Sequence, residues 1–415
     1  MKQSTIRDIS GGITAAKGIR AAGIFCGIKK SALDLALIVS DRPATVAGVT
    51  TRNRSKAAPV LLCERQLKGS RLTAIVANSG NANACTGPQG ERDALRMRDR
   101  LARLLDCPAG EVFVASTGVI GKRLPMAKIL SGIRNGIDRL SVDGGETAAR
   151  AIMTTDTRPK EAAVRVELDG QPVVIGGIAK GSGMIAPDLA TMLCFVGTDA
   201  RISAPLLRRV LRRTVDRSFN AITVDGCMST NDTVLLFANG VSDAPPLKAG
   251  TPQLVLFEEA MLQVLSRLAR MIVQDGEGAT KLIRIAVIGA QTVDDAKAAA
   301  KAVANSPLVK TAFFGEDCIW GRSVSAIGAS GIRFDPDRVE ISVDRIPVVR
   351  HGLGLGAAAE RRAAVRMRRP EFGVTINLHG GAAEAVVLTT DLTEAYVRIL
   401  SHIHIRRCRR SYACR

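Results

Sequence analysis

The chain has 415 residues, 46% of them hydrophobic and 23% charged, an ordinary globular balance that excludes a disordered or collagen-like polymer. Only 3% are aromatic, so the core has to be built from Ala, Val, Ile and Leu. The formal charge of +19 is spread along the chain without interleaved aromatics, which favours an Arg-rich composition or an attraction for anionic substrates over nucleic-acid binding.

From the N-terminus, Met1-Lys2-Gln3-Ser4-Thr5-Ile6-Arg7-Asp8 lacks the apolar core of a signal peptide. No later run approaches the roughly 18 apolar residues of a membrane span, so a soluble cytoplasmic protein without membrane or nucleic-acid partners is expected. Residues 74–77 read as a short buried strand entering a small-residue segment. Val164, Val166 and Leu168 alternate with Arg165 and Glu167, and Asp169-Gly170 then turns the chain into Pro172-Val173-Val174-Ile175, which predicts a hairpin. Ser203 stands where it can cap a helix with Pro205 in its first turn. That helix places Leu207, Val210 and Leu211 inward and Arg208, Arg209, Arg212 and Arg213 outward. A second helix is expected from about Phe257 to Val273, stopped by Asp275-Gly276-Glu277-Gly278. Residues 282–288 form a strand, Thr292 opens a third helix with Asp295 in capping-box position, and residues 339–343 alternate as another strand. Without regular βαβ spacing or a GxGxxG turn, the mixture predicts an α+β fold of layered sheets and helices rather than a Rossmann sheet.

Nine cysteines, odd in number and never at CxxC spacing, fit mostly reduced, buried thiols. Four histidines supply neither a His-based catalytic centre nor a metal site, and no cofactor is expected.

Three segments of small, polar and glycine residues, 78–86, 116–121 and 180–188, are read as loops whose backbone N–H groups can approach a ligand. The third runs into Leu189-Ala190-Thr191-Met192-Leu193. A threonine hydroxyl is a poor nucleophile without a base beside it. One remedy is to cut the chain before the threonine, because the freed α-amine, of pKa about 7.7–8, can take the hydroxyl proton. A structural Thr191 before a strand remains the plainer alternative on these residues alone.

Asn78-Ser79-Gly80-Asn81-Ala82-Asn83-Ala84-Cys85-Thr86, Thr117-Gly118, Thr154-Thr155-Asp156-Thr157, Ala179-Lys180-Gly181-Ser182-Gly183-Met184 and Ala190-Thr191-Met192-Leu193 resemble the ornithine acetyltransferase (ArgJ) family. So do Ser229-Thr230-Asn231-Asp232-Thr233, Asp275-Gly276-Glu277-Gly278-Ala279-Thr280-Lys281 and Ser306-Pro307-Leu308-Val309-Lys310. The resemblance runs from about Gly11 to Ile399. It implies an αββα-type sandwich similar to that of self-cleaving aminopeptidases. It implies self-cleavage at Ala190–Thr191 into chains 1–190 and 191–415, two of each forming a heterotetramer. Thr191 would carry acetyl from N-acetylornithine to glutamate. Thr117 and Gly118 would form the oxyanion hole, and Thr155, Lys180, Thr191 and Glu277 would contact substrate. No phosphate-binding signature for coenzyme A stands out, which leaves acetyl-CoA as a second donor open.

The chain departs from the family pattern at Cys227-Met228 and Cys318-Ile319, and in what reads as a two-residue insertion at the Asp169-Gly170 hairpin. After Ile399 the resemblance stops: position 400 is Leu where the family has Asn, and residues 400–415 form an atypical basic tail. The tail predicts weakened substrate binding with cleavage intact. A self-cleaving N-terminal-nucleophile peptidase or amidase, and a relative with impaired substrate binding, stand as alternatives.

Overall fold

The computed structural model describes residues 6–186 and 192–401, which divide into two compact units. Unit 1 comprises residues up to Asn220 together with Cys227–Ile272, and unit 2 comprises Ala221–Gly226 together with the chain from Val273 onward.

Unit 1 contains strands β1 (Arg7–Ile9), β2 (Ile19–Ile24), β3 (Leu35–Thr50), β4 (Arg71–Asn81), β5 (Val112–Val119), β6 (Lys160–Leu168), β7 (Gln171–Lys180), β8 (Leu193–Thr198) and β9 (Thr233–Ala238). Its helices are α1 (Ala58–Gln66), α2 (Gly87–Leu105), α3 (Met126–Ile137), α4 (Gly145–Ile152) and α5 (Ala204–Asp216), with most of α6 (Pro252–Gln274). The strands form one sheet in the order β1-β6-β7-β8-β9-β3-β4-β5, with β2 also on β3. The long strand β3 makes this possible: its first half pairs β2 and β4, its second half pairs β9, and its pairing with β4 shifts register between Val39 and Ala44. The sheet thereby folds over on itself.

Side-chain alternation then builds the layers. Ala36, Ile38, Ile75, Phe113 and Ala115 face an inner core shared with Ile178, Leu193, Phe195, Leu235 and Phe237 from the other half. The facing halves touch closely: a Cβ on Gly197 of β8 would lie 2.3 Å from Ile19 Cδ1 of β2. The outward residues Leu35, Leu37, Ala74, Val76, Val112 and Val114 pack against Met97 and Leu101 of α2 and Ile129 and Ile133 of α3. On the opposite outer face, Leu268 of α6 lies 3.2 Å from the position of a Cβ on Gly177 of β7. Helix, sheet, sheet and helix follow one another, the expected αββα order.

Unit 2 holds β10 (Leu282–Ala290), α7 (Val293–Asn305), α8 (Pro307–Phe314), α9 (Trp320–Gly328), β11 (Glu340–Val343), β12 (Ile346–Arg350), β13 (Leu353–Gly354), α10 (Ala357–Met367), β14 (Glu371–Asn377) and β15 (Ala383–Thr390). Its sheet order is β13-β12-β11-β14-β10-β15, with only β10 and β14 parallel. Ile283, Ile285, Val287, Phe372, Val374 and Ile376 meet the alanine face of α7 in a second core.

The Asp169-Gly170 hairpin is as expected: both residues have positive φ, 52° and 78°, and Leu168 pairs Gln171 across a two-residue turn. The α5 arginines face outward and Leu207, Val210 and Leu211 are buried. Thr292 accepts the Asp295 N–H, as a capping threonine should. Four expectations need correction. Ser203 occupies the N-cap of α5, but its side chain makes no capping hydrogen bond. Helix α6 starts at Pro252, ahead of Phe257, because proline suits a first helical turn. Only Cys63, Cys194 and Cys318 of the seven described cysteines are buried. Residues 78–81 and 116–119 belong to β4 and β5 rather than to loops, since small polar side chains pair with each other inside the sheet.

Candidate active site

Strands β4 and β5 run parallel and end in polar residues that are nonetheless buried. Ser116 donates to Asn78 Oδ1 at 2.6 Å, and Asn78 Nδ2 donates to the Asn81 carbonyl at 2.8 Å. Asn231, two residues before β9, donates to the carbonyls of Ala82 at 2.6 Å and Ser116 at 2.8 Å, tying three chain segments together. Buried polar groups are tolerated on this scale only when they are paired.

Gly80 and Gly118 stand opposite each other where the β4–β5 register shifts. A Cβ on Gly118, whose φ is +131°, would sit 2.4 Å from the Gly80 carbonyl carbon and 2.5 Å from Asn81 N. Only glycine lets the two backbones come this close. Gly118 is exposed, and Thr117 just before it is buried.

Lys180, at the end of β7, is 3% exposed. Its ammonium donates to Thr154 Oγ1 at 2.7 Å and to Thr117 Oγ1 at 3.3 Å, and lies 4.0 Å from Asp156 Oδ2. An ammonium can only donate, so the Thr117 oxygen accepts here and its own O–H is left to donate elsewhere. Thr155 is exposed on the bend between Thr154 and Asp156. Sequence reasoning paired Thr117 with Gly118 and assigned Lys180 and Thr155 to substrate, and the structure brings Lys180 to Thr117 and onto the Thr154–Asp156 bend.

Asp156 organises the charges. Its Oδ1 accepts Lys160 Nζ at 2.6 Å and Gly181 N at 2.7 Å, and its Oδ2 accepts Thr154 N at 3.0 Å. Burial alone pushes this carboxyl up, but Lys180 and Lys160 outweigh it and hold it at about 2. Lys29 adds a third ammonium, held by the carbonyls of Leu33 at 2.8 Å and Met153 at 2.6 Å. Burial brings Lys29 down to about 8, with Lys180 adding to the effect and Asp34 and Asp156 opposing it. The buried Asp34 carboxylate fixes the Lys29 turn by accepting the backbone N–H groups of Cys26, Gly27, Ile28 and Lys29.

Sequence reasoning gave Lys29, Asp34 and Asp156 no role. Asp156 lay inside a quoted motif, whereas nothing in the local pattern marks Lys29 or Asp34, whose partners come from distant segments.

Lys180 pairs Leu193 across β7 and β8, and β8 runs parallel to β9. Met192 N donates to Asp232 Oδ1 at 3.0 Å, and the Met192 carbonyl accepts from Thr233 N at 3.1 Å. Ala190 and Thr191, the expected cleavage pair and nucleophile, lie outside the described residues.

In unit 2, Glu277 sits in the turn between α6 and β10. Thr393 donates to the Gly278 carbonyl at 2.6 Å, and Asp391 Oδ1 accepts the N–H groups of Thr280 at 2.9 Å and Lys281 at 3.1 Å. Gly278, with φ +68°, would place a Cβ 2.4 Å from Tyr396 N. The segment before the atypical tail thus moulds the Glu277 turn. Leu400 is half-buried at the end of a helical stretch, 394–401, and residues 402–415 lie outside the described residues.

The departures at Cys227-Met228 and Cys318-Ile319 lie in different surroundings. Cys227 is exposed, and the neighbouring loop is held through the Met228 carbonyl, which accepts Asn53 Nδ2 at 3.1 Å. Cys318 is packed into the core of unit 2, where burial pushes its thiol up to about 11. Among the described residues, no group of three His, Cys, Asp or Glu side chains is arranged to hold a metal ion, and no helix is long and apolar enough to cross a membrane.

A hydroxyl free to donate, a backbone N–H on an exposed glycine and a buried ammonium make an anion-receiving edge suited to acyl-transfer chemistry. Comparison with known proteins agrees with this chemistry. A family model described as "ArgJ family" matches residues 20–403. An arginine biosynthesis bifunctional protein ArgJ from Symbiobacterium thermophilum is 50% identical over 394 residues, covering 94% of this chain and 98% of its own. The protein of the same description from Geobacter sulfurreducens is 49% identical over 384 residues, covering 92% and 98%. Among solved structures, ornithine acetyltransferase complexed with ornithine from Mycobacterium tuberculosis is 44% identical, with a TM-score of 0.41, covering 44% of this chain and 98% of that one.

Proposed function

The chain belongs to the ArgJ family, and on that premise we propose that it is an acetyltransferase of arginine biosynthesis that moves acetyl from N-acetylornithine to glutamate. Ornithine and N-acetylglutamate are the products. The acetyl group rests in between as an ester on Thr191, freed as an N-terminal residue by self-cleavage after Ala190. The α-amine of Thr191, of pKa about 7.7–8, takes the hydroxyl proton as the oxygen attacks and returns it to the leaving amine. The Thr117 hydroxyl and the Gly118 N–H stabilise the tetrahedral oxyanion. Lys180 and Thr155 receive the substrate's carboxylate end, and Glu277 answers the δ-ammonium of ornithine and N-acetylornithine. One nucleophile serves two amino acids in turn, as a ping-pong reaction requires.

Chains 1–190 and 191–415 assemble as a heterotetramer of two of each, in the cytoplasm, without a cofactor. The relatives are described as bifunctional, and we extend the proposal to a second activity, acetylation of an amino acid from acetyl-CoA.

The observation that supports this reading most directly is Lys180 donating to Thr117 at 3.3 Å, because it turns the Thr117 O–H into an available donor. The test is denaturing electrophoresis with an acetyl-transfer assay. The native chain should run as two bands whose masses sum to 43.9 kDa and should transfer labelled acetyl to glutamate without releasing acetate. Thr191→Ala should stay uncut and inactive. Cleavage in that variant removes Thr191 from its role, and acetate release in place of transfer makes the protein an amidase.

A further inference from the structure

Asp232 lies immediately before β9 and is 1% exposed. Its Oδ1 accepts the backbone N–H of Met192 at 3.0 Å, and Met192 is the residue bonded to Thr191. The Met192 carbonyl is held in turn by Thr233 N at 3.1 Å, so residue 192 is fixed from both sides by the start of β9. The second oxygen, Oδ2, is buried and no donor reaches it with hydrogen-bond geometry. A buried, unspent carboxyl oxygen is costly to keep. Burial raises this carboxyl well above its ordinary range, with Met192 N–H, Ser229, Lys180 and Thr51 only partly opposing. An acceptor for one backbone N–H does not need a carboxyl at all, since asparagine supplies the same oxygen.

We propose that Asp232 carries the proton that cleavage before residue 191 has to move. The inference rests on the reading of Thr191 as cleavage residue and nucleophile. In cleavage, a bond forms between the Thr191 hydroxyl oxygen and the Ala190 carbonyl carbon, and the peptide carbon–nitrogen bond breaks. The departing nitrogen becomes an amine by taking the Asp232 carboxyl proton, and the hydroxyl proton returns to the carboxylate. Asp232 ends protonated, as it began, and the chain has become an ester isomer of itself. Water then hydrolyses the ester, restoring the Thr191 hydroxyl and leaving a carboxylate on Ala190, with one proton passing to solvent. Once the α-amine is free it is itself the base, so Asp232 matters more to processing than to turnover.

Asp232→Asn separates proton transfer from positioning. Asparagine keeps an oxygen for the Met192 N–H and an amide where the protonated oxygen was, but it has no transferable proton. In the full-length chain, followed by denaturing electrophoresis from the time of synthesis, cleavage should slow by at least about 100-fold, the low end of general acid–base effects. Thr191→Ala is run beside it. An uncut Thr191→Ala with a slow Asp232→Asn supports the proposal. An uncut Thr191→Ala with native-rate cleavage in Asp232→Asn overturns it and leaves the reading of Thr191 standing. Cleavage in Thr191→Ala overturns both. Cooperative thermal unfolding of Asp232→Asn establishes that it folds. If it does not, Asp232→Ala with added formate decides: cleavage that depends on formate supports a proton carrier, and cleavage indifferent to formate rejects it.

Discussion

Asp156→Asn tests the charge arrangement around Lys180 as a whole. The Asp156 carboxylate binds Lys160 at 2.6 Å, and both side chains are 0% exposed. Asparagine keeps one acceptor oxygen for Gly181 N or Thr154 N but removes the charge. Lys160 then loses the carboxylate 2.6 Å from its ammonium, and Lys180 loses the one 4.0 Å away. Breaking a buried pair from one side costs about 3–5 kcal/mol, and a loss of that size is expected in urea unfolding at neutral pH. Acid titration gives an independent reading. A carboxyl whose ordinary value is 3.8 and whose folded value is about 2 stabilises the fold by about 2 kcal/mol when ionised. Because the folded value is the lower one, that contribution is complete above 3.8 and is lost as pH falls toward about 2. The native protein should therefore weaken across this window, and Asp156→Asn should lack that component. The reasoning is refuted if the variant unfolds within about 1 kcal/mol of native, an ordinary surface-like effect, with the same acid dependence.

Three further substitutions probe separate pieces. Thr117→Ala should lower kcat by about 10²–10³ while leaving urea unfolding near native, since the hydroxyl acts on the oxyanion; an unchanged kcat removes it from the hole. Gly118→Ala should destabilise by on the order of 2–5 kcal/mol, combining a backbone clash with an unfavourable φ, and a native melting temperature would show that β4 and β5 can part freely. Glu277→Gln should raise KM for N-acetylornithine and spare glutamate, which has no side-chain amine; equal losses for both would make Glu277 a structural residue.

The elements easiest to read from the sequence were those with local periodicity. The β6–β7 hairpin announced itself through alternation and Asp-Gly, α5 through its apolar stripe and α7 through its cap. The ends of β4 and β5 were misread as loops because residues 78–81 and 116–119 carry the composition of a turn. What makes them strands is non-local: Asn231 reaches the Ala82 and Ser116 carbonyls across more than a hundred residues. The same holds for the charges. Lys180 stood out within its glycine-rich motif, but Lys29 is brought to it only by the Asp34 turn and the Met153 carbonyl. A single sequence shows which residue types are present; which ammonium groups share a carboxylate depends on tertiary pairing.

The proposed cut between Ala190 and Thr191 lies in the stretch of chain between β7 and β8, two neighbours of one sheet. β7 ends at Lys180 and β8 begins at Leu193, and the two pair antiparallel from Ile175–Thr198 to Lys180–Leu193. On its other side β8 pairs β9 along its whole length, and β9 pairs β3. Leu193 and Phe195 of the later chain share the inner core with Phe113 and Ile178 of the earlier one. On the proposed cleavage, fragments 1–190 and 191–415 should stay together after the cut, because these ladders and this core join β7 to β8 and β9 without residues 190 and 191. Cleavage before Thr191 would free an α-amine. A cut here generates it one residue before Met192, whose amide is held by Asp232, and at the strand whose first residue pairs with Lys180. On that proposal, chain processing is also a step in the assembly of the active site.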